Sequence, residues 1–494
     1  MVIPRPRPGY TIRRREKSKS CGWTTTSRPP SGKFERLVCR AFWPTAWPLD
    51  ANMTYDQAVA YLNQFINWEP RLHQVRWEDF KLDRMWRLIE LLGQPQEAFP
   101  SLHVAGTKGK GSTAAMMASL LQAADYRVGL FTSPHLVNFR ERIRCQGEKI
   151  PPKVLAELVA GRLRPAVEEY QRNPEHGDLT FFELYTALAF LYFAAREVDF
   201  AVVEVGLGGR LDATNVLQPQ VVVLTAISYD HTDLLGSTLT AIAQEKAGVI
   251  KPGVPVVCAP QPAEAQAVFQ KACTEREAPL IQVPESAVTR RRLRSGGQEL
   301  DLQTTNGRKF AGLTLPLLGR HQAINAAVAV EAVCQLAATG AEIKEEAVRR
   351  GLAQVNWPGR LQVVREQPWL VLDGAHNGAS AACLRQALRE AFPYQRLWLI
   401  LGTSVEKDVG AIAAEICPWA YETIATQVPN LFRAASAEQV AAQAAPYCRR
   451  LRQEPNVAAA LRYALGQAAE KDLVCVTGSL YLVGEALQVL GVEV

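Results

Sequence analysis

Four apolar runs, SLHVAG at 101–106, RVGLFTS at 127–133, DFAVVEVG at 199–206 and QVVVLTAIS at 220–228, alternate with segments of helical character. A strand exposed on one face alternates apolar and polar residues, whereas these β-branched runs are continuous and demand cover on both faces. Interleaved with helices, expected from Ser112 to about Ala124 and over about 182–195, they restrict this stretch to a parallel α/β sheet. Upstream, Thr54 precedes a helix over Tyr55 to Phe65, and a second helix over 79–92 ends at Gly93. Downstream, short alternating runs over 280–315 read as a small β insertion, and a helix follows over 322–338.

The Pro and Gly of NWPGR, ending at Arg360, mark a linker, after which the alternation restarts. WLVLDG, RLWLILG, YETIATQV and LVCVTGS are its strands, with helices expected over 378–390, 408–416 and near 436–444. At 494 residues the chain exceeds one compact core. The expected division is an N-terminal extension at 1–52, an α/β domain at 53–355, and a smaller Rossmann-like α/β domain at 356–494. A cleft between two such domains is the default place for a ligand.

Charge has to be located before it is interpreted. Residues 1–52 carry eleven Lys or Arg against Glu16, Glu35 and Asp50, a net +8, which leaves −2 for the remainder of a chain whose total is +6. The basic character belongs to the tail, so the body offers no reason to expect nucleic acid as a partner. The tail is rich in Pro, Arg, Ser and Thr and is expected to be a disordered, dispensable extension, a transit peptide being the alternative. No apolar run approaches the roughly 18 residues of a membrane helix. The ten cysteines are scattered and form no CxxC pair, so neither a zinc site nor a disulfide framework is indicated. A soluble, cytoplasmic, monomeric enzyme is the expectation.

The segment HVAGTKGKGST joins a strand to a helix, the context in which a Gly-rich turn becomes a phosphate loop. Backbone N–H groups and the positive helix N-terminus can cradle a triphosphate, Lys110 adds a compact cation, and Ser112 or Thr113 can reach a metal or phosphate oxygen. The loop departs from GxxxxGK[ST]: Val104 occupies the first Gly position and Gly111 separates Lys110 from Ser112. At the C-terminal edge of the sheet, Glu204 ends one strand and His231 follows the next.

GTKGKGS resembles the variant phosphate loop of the Mur ligase superfamily, and specifically that of folylpolyglutamate and dihydrofolate synthases. Further matches run in order: TSPHL at 132–136, ERI at 141–143, TFFE at 180–183, EVGLGGRLDATN at 204–215, DHT at 230–232, EKAG at 245–248, GRHQAINA at 319–326, DGAHN at 373–377 and TGSLYL at 477–482. The resemblance covers about residues 53–494 and implies a Mur-ligase-like ATP-binding domain followed by a glutamate-ligase domain. It implies that Gly106, Thr107, Lys108, Gly109, Lys110, Gly111, Ser112 and Thr113 bind ATP together with Gln322, Asn325, Arg360, Asp373 and His376. Ser133, Glu204 and His231 are similar to the family's magnesium ligands. Lys246 matches a carbamylated lysine that would hold a second magnesium, and a monovalent cation is a further implied cofactor. Lys110, His231 and Lys246 are the implied catalytic residues, and Thr180, Phe182, Asp212 and Ala213 resemble positions that hold a pterin in bifunctional members.

The resemblance implies a ligase that uses ATP and magnesium to join L-glutamate to dihydropteroate or to a reduced folate through an acyl phosphate. One alternative is a Mur-type ligase acting on a cell-wall nucleotide precursor, which the shortness of the ordered stretch before the phosphate loop disfavours. Another, a regulatory nucleotide-binding module, leaves Glu204, His231, Lys246, Arg360 and Asp373 without a task.

Overall fold

The computed structural model describes residues 53–69, 75–294, 296–429, 431 and 433–494; the expected extension at 1–52 lies outside them. The first sheet has eight strands: β1 (Ser101–Ala105), β2 (Val128–Phe131), β3 (Ile143–Cys145), β4 (Glu148–Lys149), β5 (Phe200–Glu204), β6 (Val221–Leu224), β7 (Val256–Cys258) and β8 (Leu280–Gln282). Their order is β4-β3-β2-β5-β1-β6-β7-β8. Six are parallel, and the β3–β4 hairpin extends the β2 edge antiparallel. The continuous apolar runs follow from cover on both faces. Leu102, Val104, Val202, Val221 and Val223 pack under the helices Lys110–Ala123 and Arg320–Gln335. The alternate residues Ala201 and Val203 meet the helix Phe181–Ala195, and Val222 and Leu224 meet the helices Leu239–Ala247 and Ala263–Glu275. Each such Val or Leu contributes about 1.5–3 kcal/mol on full burial.

β1 lies centrally, with β5 and β6 on opposite sides in matching register, Val104 against Glu204 and Ala105 against Leu224. Connections from β1 and its neighbours diverge here, and such a switch point opens a crevice outside the strands' C-terminal ends.

The β insertion is shorter than expected. Leu280–Gln282 pairs parallel with β7 and completes the large sheet, while β9 (Val288–Arg294), β10 (Gly297–Gln303) and β11 (Lys309–Leu315) form a separate antiparallel sheet. The 79–92 helix also begins late, at Leu82. Asp79 accepts the Arg76 N–H and closes a 3-10 turn over Trp77–Asp79, leaving Phe80 and Lys81 extended.

A second sheet comprises β12 (Gln362–Glu366), β13 (Trp369–Asp373), β14 (Leu397–Leu401), β15 (Glu422–Ala425), β16 (Leu451–Gln453) and β17 (Leu473–Thr477). The order is β12-β13-β17-β14-β15-β16, parallel except for β12. Alternate residues again face two cores: Val371, Leu399 and Cys475 on one side, Leu372, Ile400 and Val476 on the other. Among the described residues no helix is long and apolar enough to cross a membrane.

Candidate active site

The phosphate loop leaves β1 at Gly106, runs through Thr107 and Lys108, and caps the helix Lys110–Ala123 with Gly109. Gly109 has φ 88°, and a Cβ there would lie 2.6 Å from the Asn325 side chain, so glycine is required on two counts. The loop is tied to the end of β6: the Thr107 and Lys108 N–H groups donate to Ala226 O (3.1 and 3.0 Å), and the Thr107 hydroxyl to Ser228 O (3.2 Å). The start of the helix Arg320–Gln335 buttresses it from behind. Asn325 Nδ2 donates to Gln322 Oε1 (3.1 Å), and Gln322 Nε2 donates to Ser112 Oγ (3.2 Å). The Thr113 hydroxyl is buried without a hydrogen-bond partner.

Glu204 ends β5 beside the first turn of this helix, and its carboxylate is almost wholly buried. One oxygen accepts the Ser133 N–H at 3.0 Å, and the other lies 4.0 Å from Lys110 Nζ. Gly111 permits this approach: a Cβ there would meet Trp357 at 2.9 Å and Glu204 at 3.4 Å. Burial raises the Glu204 pKa, while Lys110, the Ser133 N–H and Arg360 oppose it.

A second cluster centres on Asp230. Lys108 Nζ donates to its Oδ2 at 3.0 Å, His376 Nε2 lies 3.9 Å from the same oxygen, and His231 Nε2 and Lys407 Nζ each lie 3.9 Å from Oδ1. Burial works against this carboxylate, yet the His376 contact, Lys108 and His231 outweigh it and hold Asp230 well below the usual carboxylate range. His231 adopts a left-handed conformation, φ 49° and ψ 41°, uncommon for a residue with a Cβ. Burial lowers its pKa to about 4, so the imidazole is neutral near pH 7.

Lys246 is buried within the helix Leu239–Ala247. Burial, reinforced by the charge of Lys110, depresses its ammonium from 10.5 to about 7. Across the seam, Arg360 follows the linker turn, its Nη1 donating to Gly359 O at 3.2 Å and its charge balanced by Asp373 and Glu204. The Asp373 carboxylate is committed to backbone, accepting from Leu361 N (2.8 Å) and Ala375 N (2.9 Å). His376 Nδ1 contacts Gly374 O at 2.9 Å, which turns Nε2 toward Asp230.

The residues matched to a pterin position serve local structure first. Thr180 caps the helix Phe181–Ala195 in a capping box with Glu183, which Arg84 pairs at 2.9 Å. Phe182 packs on the Gly206 backbone and against Phe131, with ring centroids 6.0 Å apart. Asp212 accepts from Leu207 N (2.9 Å), Thr214 N (3.0 Å) and the Thr214 hydroxyl, ordering the turn that Ala213 continues.

The structure thus brings the phosphate loop, Ser133, Glu204, Gln322 and Asn325 into one cluster, and Lys108, His231 and His376 into another around Asp230. Asp373, Thr180 and Asp212 hold turns and caps. Sequence reasoning gave no role to Asp230 or Lys407. The available signals were the carboxylate adjoining His231 and a lysine in the loop after RLWLILG, another parallel-strand end.

Among the described residues no group of three His, Cys, Asp or Glu could hold a metal ion by itself. Magnesium does not require one, because it binds through one or two carboxylates, waters and substrate phosphates. The buried Glu204 carboxylate, the partnerless Thr113 hydroxyl and the adjacent anion cradle fit a magnesium–nucleotide complex.

A family model described as Mur ligase middle domain matches residues 104–333, and one described as Mur ligase, glutamate ligase domain matches 359–480. A Bacillus subtilis protein named dihydrofolate synthase/folylpolyglutamate synthase is 35% identical over 411 residues, 82% of this chain and 93% of the relative. A Mycobacterium tuberculosis folylpolyglutamate synthase complexed with ADP matches with a TM-score of 0.80 at 34% identity, covering 89% of this chain and 98% of its own. An Escherichia coli FolC structure in complex with DHPP and ADP matches with a TM-score of 0.76 at 29% identity, covering 89% and 98%. With both domains matched in order and its length nearly spanned by these relatives, the chain belongs to the dihydrofolate synthase/folylpolyglutamate synthase family of Mur ligases.

Proposed function

We propose that this protein is an ATP-dependent ligase that adds L-glutamate first to dihydropteroate and later to a reduced folate. The observation that carries the reading is the convergence of the phosphate loop with cations and carboxylates at the facing ends of two parallel sheets. The names of its relatives favour a folate acceptor over a cell-wall precursor.

A carboxylate is a poor electrophile and requires activation. Its oxygen attacks the γ-phosphorus of ATP, the bond to the β,γ-bridging oxygen breaks, and ADP leaves with the electron pair. The glutamate amine then attacks the acyl carbon of the resulting acyl phosphate; an amide forms, inorganic phosphate departs and the amine proton is lost. Chain groups contribute alignment and charge neutralisation. The loop N–H groups and Lys110 hold phosphate, Gln322 and Asn325 stiffen the loop, and Arg360, its charge offset by Asp373 and Glu204, adds a cation from the linker. Ser133, Glu204 and His231 would hold magnesium, whose charge screens the phosphates when bound.

The depressed pKa of Lys246 supports carbamylation, since only the neutral amine takes up carbon dioxide. The product would be an anion able to hold a second cation, magnesium or monovalent. Phe182 and Asp212 are the proposed pterin contacts, with Thr180 and Ala213 shaping the wall between them. The division into domains at 53–355 and 356–494, a monomeric state and a cytoplasmic location belong to the same reading. The test is ADP release from ATP and magnesium that depends on glutamate, with dihydropteroate and tetrahydrofolate offered in turn.

A further inference from the structure

The Asp230 cluster contains one more cation than a resting ion pair needs. Lys108 already donates to the carboxylate at 3.0 Å, whereas Lys407 stands 3.9 Å away. Among the described residues the Lys407 ammonium makes no hydrogen bond, although its side chain is only 23% exposed. An ammonium has three donors, and with no acceptor among the described residues within hydrogen-bond distance Lys407 can offer them to an anion that enters beside Asp230.

The backbone of Lys407 is firmly placed. Its N–H donates to Ser404 O at 3.1 Å, Ser404 bridges Ala434, and Asp408 caps the next helix by accepting the Ala411 N–H at 2.8 Å. This loop follows β14, next to β17 in the middle of the second sheet, and so belongs to the ligand-binding edge of that sheet. The side chain therefore reaches, from the second sheet, the carboxylate that also holds the phosphate-loop Lys108.

We propose that Lys407 is a catalytic residue of the ligase reaction, the cation that the second sheet delivers to the terminal phosphoryl group. Asp230 holds it in the free enzyme; with nucleotide bound, its ammonium turns to the γ-phosphate oxygens and follows them as the phosphoryl group moves to the acceptor carboxylate. Lys407 forms and breaks no covalent bond, so the bonds made and broken are those of the phosphoryl transfer itself. Charge placed on the moving group, rather than on the diphosphate left behind, stabilises the transition state more than the ground state. This role rests on the ligase reading of the site.

The full chain with Lys407→Met and Lys407→Arg is compared with the parent by calorimetric binding of ADP and of the β,γ-methylene analogue of ATP, and by the kcat for glutamate-dependent ADP release. For Lys407→Met the expected result is an analogue affinity weakened about tenfold, ADP affinity within about twofold, and kcat lowered about a hundredfold. Lys407→Arg, which keeps the charge, is expected to recover part of each loss. Equal weakening of both nucleotides would reduce Lys407 to a clasp between the sheets and overturn the proposal, as would a Met variant with kcat within about threefold of the parent. If Lys407→Met does not melt cooperatively, Lys407→Gln takes its place under the same criteria. A parent that binds both nucleotides but releases no ADP would refute the ligase reading, while the ratio of the two affinities would still decide whether Lys407 meets the terminal phosphate.

Discussion

Lys110 and Lys246 lie within one electrostatic neighbourhood yet depend on opposite features of it. Lys110 is paired with Glu204 at 4.0 Å and opens the helix that follows the phosphate loop. Its replacement by Ala is expected to leave thermal unfolding nearly unchanged and lower kcat/KM by about two to three orders of magnitude, as for one lost preorganised charge. Near-parental ADP release by a folded variant would remove the loop from the chemistry. For Lys246 the sign follows from its depressed pKa of about 7: the uncharged amine grows as pH rises through that value. Intact mass measured in bicarbonate is expected to show an added carboxyl group increasing from about pH 6 to pH 8. Lys246→Ala is expected to be weakly active and partly rescued by a short carboxylic acid; an unmodified lysine at every pH would refute carbamylation. Lys110 and Glu204 were legible because one follows a glycine-rich turn and the other ends a strand, whereas Lys246, inside a helix, was legible only through the family resemblance. Asp230 was not singled out, because its importance comes from Lys407 and His376, far away in sequence and brought near only by the facing sheets.

At the scale of elements, the long buried pieces were the legible ones. The apolar runs over β1, β2, β5 and β6 became strands because a sheet covered on both faces leaves no polar alternation to misread. β12 and β16 escaped notice: both are edge strands, and the residues of β16 (LRQ) are too few to carry a period. The helix Val457–Gln467 also escaped, its alanine-rich sequence giving little contrast between faces. Short-range hydrogen bonds shifted the boundaries, as where Asp79 delays a helix to Leu82. Thr180 bears a comparable load, capping a largely buried helix while donating to the Glu183 carboxylate that Arg84 pairs. Thr180→Ala is expected to cost about 1–2 kcal/mol in urea unfolding, with Thr180→Ser recovering most of it. No change in stability would mean that the cap is replaced by solvent.

Taken whole, the molecule presents two mainly parallel sheets whose C-terminal edges bring charged side chains together, Lys108, Lys110 and Glu204 from the first and His376 and Lys407 from the second. Such a site can hold a reactive acyl phosphate away from water once the two sides close on substrate. Asp212 separates two consequences of this arrangement. If its carboxylate touches a pterin as well as ordering its own turn, Asp212→Ala should depress the dihydropteroate reaction far more than folate glutamylation. Equal losses in both would leave Asp212 a turn residue alone. The most direct measurement of the central claim is the glutamate dependence of ADP formation by the purified chain with ATP, magnesium and each acceptor. The expected result is ADP and a glutamylated product in equal amounts with dihydropteroate and with tetrahydrofolate, and neither without glutamate. ADP formed at the same rate whether or not glutamate and acceptor are present would contradict it.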